Sequence, residues 1–166
     1  HSIRRRQRQM CIRDRLHASP NHPKSRGQIT LNSSDPYDYP KILFNYLKEE
    51  EDLKQTRECI HVARKILSQP ALAEHAGDEV GPGFNAQSDD ELNEYIRSKA
   101  DTAYHPCGTC KMGVDDMAVV DQDLKVNGIG NLRVIDASVI PEIPSANLNA
   151  PTLMIAEEGS EAILNN

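Results

Sequence analysis

Apolar positions recur at two different periods along the chain, and the switches between them predict its elements. Gly27-Gln28-Ile29-Thr30-Leu31 alternates with period two and then meets Asn32-Ser33-Ser34-Asp35-Pro36. That pattern predicts a short strand and its exit turn. Lys41-Ile42-Leu43-Phe44-Asn45-Tyr46 is a second extended candidate. Leu53, Thr56, Ile60, Ala63 and Leu67 then recur at i+3 and i+4, predicting a helix over about 50–68 that ends before Pro70. Glu49, Glu50, Glu51 and Asp52 crowd its start, where the helix dipole favours negative charge. Ser88-Asp89-Asp90-Glu91 has the form of a capping box, and Leu92, Tyr95 and Ile96 form the stripe of the helix behind it. After Ala100 the texture changes. Glycine, proline and small residues crowd around Tyr104–Gly113. Ala118–Asp121 and Leu132–Asp136 are short β-rich pieces, predicted as strands. A loop over Pro141–Ala150 follows, and then a last helix from near Pro151, where proline's missing N–H has no partner to lose. There is no internal repeat. The change near residue 100 predicts a domain boundary.

The chain has 166 residues, the size of one domain or of pieces of two. Aromatic residues make up 4% and tryptophan is absent, so its core must be aliphatic. No run of 18 apolar residues occurs, which excludes a transmembrane helix. Four cysteines are too few for a disulfide scaffold. The net charge of −6 conceals an asymmetry: residues 1–15 hold six arginines against Asp14, and the remainder is strongly acidic. A nucleic-acid binder spreads basic charge over a folded face, so the acidic body argues against that function. Three readings of the basic tail remain. It is an arm for nucleic acid or anionic lipid, an ordinary native segment, or, as favoured here, a non-native or disordered stretch. QRQMCIRDR resembles translated sequencing-adapter read-through. The same fifteen residues in intact genomic DNA would refute that reading.

Several motifs carry candidate chemistry. Gly81-Pro82-Gly83-Phe84-Asn85-Ala86 has the spacing G-x-G-x-x-A, but a dinucleotide fingerprint needs a buried strand before it. An acidic, glycine-rich stretch precedes it here, so a plain turn is expected. Cys107-Gly108-Thr109-Cys110 is a lone C-x-x-C. Structural zinc needs four ligands, and Cys11 and Cys59 are poorly spaced to complete the set, so no metal site is expected. Two reduced thiols in a packed loop fit better than a redox dithiol at a helix start. His61 falls mid-helix, and His17, His22 and His75 lie in polar loops with no partner signal. His105 stands apart. Pro106 restrains its backbone to an extended conformation. A structural histidine and a general base are both consistent with that setting.

Three runs are more specific than their parts: Tyr104-His105-Pro106-Cys107-Gly108-Thr109-Cys110-Lys111-Met112-Gly113, Asn131–Pro141 (NLRVIDASVIP) and Ser145–Thr152 (SANLNAPT). Their order and separation resemble the C-terminal region of the glucose–methanol–choline (GMC) flavoprotein oxidoreductases. KILFNYL at 41–47, QPAL at 69–72 and Pro82-Gly83 support the likeness, which covers about 24–164.

The resemblance implies an α/β (α+β) fold. Residues 16–100 would be part of the substrate-binding domain, an antiparallel sheet with helices. Residues 101–166 would be the chain's return to the FAD-binding domain, with its last strands and helix. The family's dinucleotide fingerprint has no credible copy here, so the chain reads as a C-terminal piece of a longer enzyme. The implied cofactor is FAD, and the implied reaction is alcohol oxidation by hydride transfer to flavin. The alcohol is expected to be choline, oxidised to betaine aldehyde in glycine betaine synthesis, with another primary alcohol as the alternative. His105 takes the position of the family's proton acceptor, and Asn147 that of its second active-site residue, His or Asn. Asp136 and Ala137 correspond to the segment beside the flavin, and Asn149, Ala150, Pro151 and Thr152 to the segment at the pyrimidine edge of its ring. Tyr104, next to the base, offers an aromatic face to a cationic substrate. Ala146 departs from the glycine common before Asn147 in the dehydrogenases, which weakens the choline assignment. The resemblance implies an intracellular enzyme. It would be cytoplasmic or peripherally membrane-associated in a bacterium and mitochondrial in a eukaryote. The rival from another class is a small acidic interaction domain whose binding depends on Arg4–Arg15.

Overall fold

Short strands, three helices and long irregular stretches make up the computed structural model, which describes residues 16–73 and 75–165. The basic tail over 1–15, with Cys11, lies outside the described residues. Strand β1 (Gln28–Thr30) pairs antiparallel with β2 (Lys41–Leu43), with Ile29 opposite Ile42. Gly27 precedes β1 for a steric reason: a Cβ there would lie 2.3 Å from the Leu43 carbonyl oxygen. The second strand is shorter than the apolar run that predicts it. Asn45 and Leu47 take left-handed φ values of 54° and 56°, which break an extended chain.

Helix α1 (Glu50–Leu67), helix α2 (Asp89–Lys99) and helix α3 (Asn149–Leu164) follow. The first matches its periodicity closely. The capping box of the second forms as expected: the Glu91 carboxylate accepts from the Ser88 N–H at 2.9 Å, and the Ser88 hydroxyl accepts from the Glu91 N–H at 3.3 Å. The third starts two residues before Pro151, which sits inside the first turn.

Chain contacts divide the described residues into two units. One holds 16–20 and 53–98. In it Leu53, Leu92 and Ile96 are buried. Arg57 joins α1 to α2 through Asn93 at 2.6 Å and Asp89 at 3.4 Å. Arg64 binds the Glu79 carboxylate and donates to the carbonyls of Gly83 and Ala86. The G-x-G-x-x-A spacing is therefore a turn folded around an arginine, and the described residues between α1 and the turn form no strand.

The other unit holds 21–52 and 99–165 and carries the larger aliphatic core. Val120, Leu124, Val139, Ile140, Leu148 and Ile155 are buried together, with Cys107, Met112, Ile135 and Ala137 packed on them. The β-rich pieces at 118–121 and 132–136 do not form strands. They make only the isolated bridges Met112–Val120, Val120–Val126 and Lys125–Arg133. Positive φ at Leu124 and Asn131 turns the chain before a ladder can extend. A 3-10 turn (Ala137–Val139) follows, capped by the Asp136 carboxylate, which accepts from the Ser138 N–H at 2.7 Å. Helix α3 packs on that turn. Its Gly159 lies so close to Ile135 that a Cβ would stand 2.5 Å from Cγ2. Among the described residues no helix is long and apolar enough to cross a membrane.

Candidate active site

The loop after Ala100 is built turn by turn. The Thr102 hydroxyl oxygen accepts from the Tyr104 N–H at 3.0 Å and from the Tyr46 hydroxyl at 3.0 Å. These bonds hold Tyr104 at φ 60°, a left-handed conformation unusual for an aromatic residue. The chain then enters His105 and Pro106. Beyond them Gly108, at φ 89°, lets the backbone turn back. The N–H groups of Gly108 and Cys110 both donate to the Ser138 carbonyl, at 3.1 and 3.0 Å, and that of Met112 to the Val139 carbonyl at 2.8 Å. The segment behind His105 is thus zipped to the 3-10 turn that carries Ala137.

This arrangement brings His105 to Asn147, 42 residues away. Asn147 Nδ2 lies 3.0 Å from His105 Nε2. An amide nitrogen only donates, so Nε2 is the acceptor in this contact and carries a lone pair. Asn147 is exposed, and the neighbouring Leu148 is buried in the core, which fixes the end of its loop.

A cleft of ≈ 340 Å³ opens beside His105, and Asn147 is not among the residues that line it. Tyr104, His105 and Pro106 form one wall, with Ala137, Leu148, Asn149 and Thr152 around the rest. Three of the residues expected at a flavin, Ala137, Asn149 and Thr152, therefore line the same space as the expected base. Asp136, Ala150 and Pro151 stand next to them in sequence and do not line it. The Asp136 side chain is engaged in its cap. The Thr152 N–H makes the first bond of α3, to the Leu148 carbonyl at 2.9 Å. The N–H groups of Asn149 and Ala150 find no acceptor among the described residues, and a helix start of this kind carries partial positive charge. An open cleft with a small residue on one wall and free donors at a helix N-terminus fits the polar edge of a planar cofactor ring.

The cysteines do not compete for this role. Cys59, Cys107 and Cys110 are free thiols, and no metal-ligating cluster occurs among the described residues. Burial pushes the Cys107 thiol above its ordinary value, against a smaller pull from the Arg26 charge. A thiol so disposed is a poor nucleophile at neutral pH.

His22 is the residue that the sequence does not reveal. Its Nδ1 lies 3.1 Å from the Ile143 carbonyl oxygen, and its Nε2 lies 2.8 Å from the Ser145 hydroxyl. Both partners are more than 120 residues away, so no local spacing signals them. The only nearby cue is Pro23, which fixes the backbone of the preceding residue.

Known proteins give this geometry a context. The family model described as GMC oxidoreductase matches residues 23–156. Oxygen-dependent choline dehydrogenase of Vibrio vulnificus (strain YJ016) is 49% identical over 151 residues, covering 90% of this chain and 27% of that protein. Pyridoxine 4-oxidase from Mesorbium loti superposes with a TM-score of 0.80 at 31% identity, covering 88% of this chain and 28% of the other. An FAD-dependent oxidoreductase from Chaetomium thermophilum superposes with a TM-score of 0.81 at 28% identity, covering 87% and 25%. The chain spans about a quarter of the length of the curated relatives it matches. The matched segment contains the base loop, the 3-10 turn, Asn147 and the first turns of α3, and on that match the chain belongs to the GMC oxidoreductase family.

Proposed function

We propose that this chain supplies the proton acceptor, the substrate-orienting amide and one wall of the cofactor cleft of an FAD-dependent alcohol oxidoreductase. The observation that carries the reading is the 3.0 Å contact between Asn147 Nδ2 and His105 Nε2 at the cleft. Residues 16–100 belong, on this reading, to the substrate side of the enzyme and 101–166 to the FAD side. The backbone at Asp136-Ala137 would lie along the flavin, and Asn149, Ala150, Pro151 and Thr152 would hold its polar edge. When bound, FAD supplies the two-electron acceptor for the hydride leaving the carbinol carbon.

The protein's own groups manage the proton and the oxygen. A primary alcohol entering the cleft replaces the Asn147 N–H at the lone pair of His105 Nε2, which then takes the hydroxyl proton as the C–H bond breaks. The oxygen's developing negative charge is met by the Asn147 amide, which donates without titrating. The products are an aldehyde and a protonated imidazole. Loss of that proton to solvent resets the base.

Choline is the proposed alcohol and betaine aldehyde the product. Tyr104 is 76% exposed on the cleft wall and offers its ring face to a quaternary ammonium. The similarity to the Vibrio enzyme supports the same choice. Two measurements on flavin-loaded holoenzyme test the reading. His105→Ala should lower kcat by at least about a hundredfold at unchanged flavin content, as removal of a general base does. Near-normal turnover would overturn the assignment of the base. The second compares choline with its uncharged isostere 3,3-dimethylbutan-1-ol. Choline should be preferred by about tenfold or more in kcat/KM, and equal values would move the reading to another primary alcohol.

A further inference from the structure

We propose that His22 is a positioning residue for Asn147, holding the loop that carries it. The proposal rests on the role given to Asn147 above. The loop over 141–147 makes no backbone–backbone hydrogen bond among the described residues. Its ends are fixed by packing, through buried Ile140 and Leu148, and Ile143 packs partly on the same core. Between Ile143 and Asn147 no ladder, turn bond or cap sets the course of the chain. His22 supplies that restraint. A carbonyl oxygen only accepts, so Nδ1 carries the hydrogen and donates to Ile143. Nε2 then pairs with the Ser145 hydroxyl, two residues before Asn147. One ring thus grips the loop at two points, 143 and 145.

A clamp is useful only if its other end is fixed, and this one is. Pro23 biases the His22 backbone away from the helical region. The Lys24 and Ser25 N–H groups donate to the two oxygens of the buried Asp52 carboxylate, at 2.6 and 2.8 Å. The Ser25 hydroxyl accepts from the N–H groups of Lys48 and Glu49, each at 3.0 Å. A continuous series of short bonds therefore runs from the first turn of α1 through residues 22–25 to the Asn147 loop and the 3.0 Å contact with His105.

The test is a double-mutant cycle in the flavin-loaded holoenzyme. His22→Phe keeps a ring and removes both bonds. It should lower kcat about tenfold with little change in KM. It should also raise the crystallographic displacement factors of residues 142–147 while leaving those of α1 and α3 unchanged. In an Asn147→Ala background the same substitution should have almost no further effect on kcat, because what it positions is already gone. Ser145→Ala removes one bond with minimal disturbance and should give a smaller loss in the same direction, which keeps the test informative if the phenylalanine variant misfolds. His22→Asn retains a donor near Nδ1 and should recover part of the activity. A full-sized His22→Phe loss that persists in the Asn147→Ala background overturns the proposal and leaves the role of Asn147 standing. Normal turnover in Asn147→Ala alone overturns that role, and the positioning of it by His22 with it.

Discussion

The Asn147 amide and the His105 imidazole meet as donor and acceptor, and this sets different expectations for losing each. Without His105 there is no proton acceptor. Without Asn147 the substrate oxygen loses an orienting bond worth about 1–3 kcal/mol, and proton transfer survives. Asn147→Ala should therefore damage turnover less than His105→Ala, and kcat of the two variants at matched flavin content gives the ordering. The reverse order would exchange their roles. On sequence alone neither role was secure. A loop histidine before proline and an asparagine in a polar loop are both commonly structural; His105 stands apart through Pro106, and only the resemblance of the surrounding run singles out Asn147. That the two side chains touch across 42 residues could not be read from either run. His22 shows no partner in the sequence for the same reason: a side chain that binds a distant carbonyl leaves no periodic trace there.

Elements were legible where their causes are local. The i+3/i+4 stripe and acidic first turn marked α1 to within a residue, and the Ser88–Glu91 reciprocal bonds marked the start of α2. The expected strands at 118–121 and 132–136 failed because strands need partners. Their β-branched composition was real, but only isolated bridges meet them here. Two predictions belong to this scale. Gly159→Ala places a methyl 2.5 Å from Ile135 Cγ2 and must displace the helix or the isoleucine. It should destabilise the protein by about 1–3 kcal/mol, partly offset by better helix propensity, as measured by denaturant unfolding. The second concerns Asp52. Burial raises its carboxyl pKa, but the Ser25 hydroxyl, the Lys24 and Ser25 N–H groups and the Arg26 charge together outweigh that and hold it below the ordinary 3.8. A depressed carboxyl stabilises the fold above its ordinary value, and that stability is lost as pH falls through the lower folded value. Asp52→Ala should therefore lower the Tm at neutral pH, and the gap to wild type should close as the pH is taken below 3.8.

At the scale of the whole molecule, the apolar surface is the informative quantity. On α3, Leu153 and Met154 are 60% and 62% exposed, and Ile163 and Leu164 also face outward. Exposed apolar faces of this kind promote association. The turn around Arg64 offers no fingerprint for a dinucleotide pyrophosphate. The 166-residue chain expressed alone should therefore bind a hydrophobic dye and remain colourless and inactive when FAD is added. Visible absorbance after gel filtration is the measurement, and a yellow, cooperatively melting monomer with stoichiometric flavin would contradict it. The loop over 141–147 has another consequence at this scale. A stretch with no backbone ladder has no register to preserve, so its sequence can be exchanged without disturbing neighbouring strands or helices. With Ile143, Ser145, Asn147 and Leu148 kept as fixed points, Glu142, Pro144 and Ala146 become natural sites for a combinatorial library. Directed evolution can vary the approach to the cleft there while the base and the helix stay where the fold puts them.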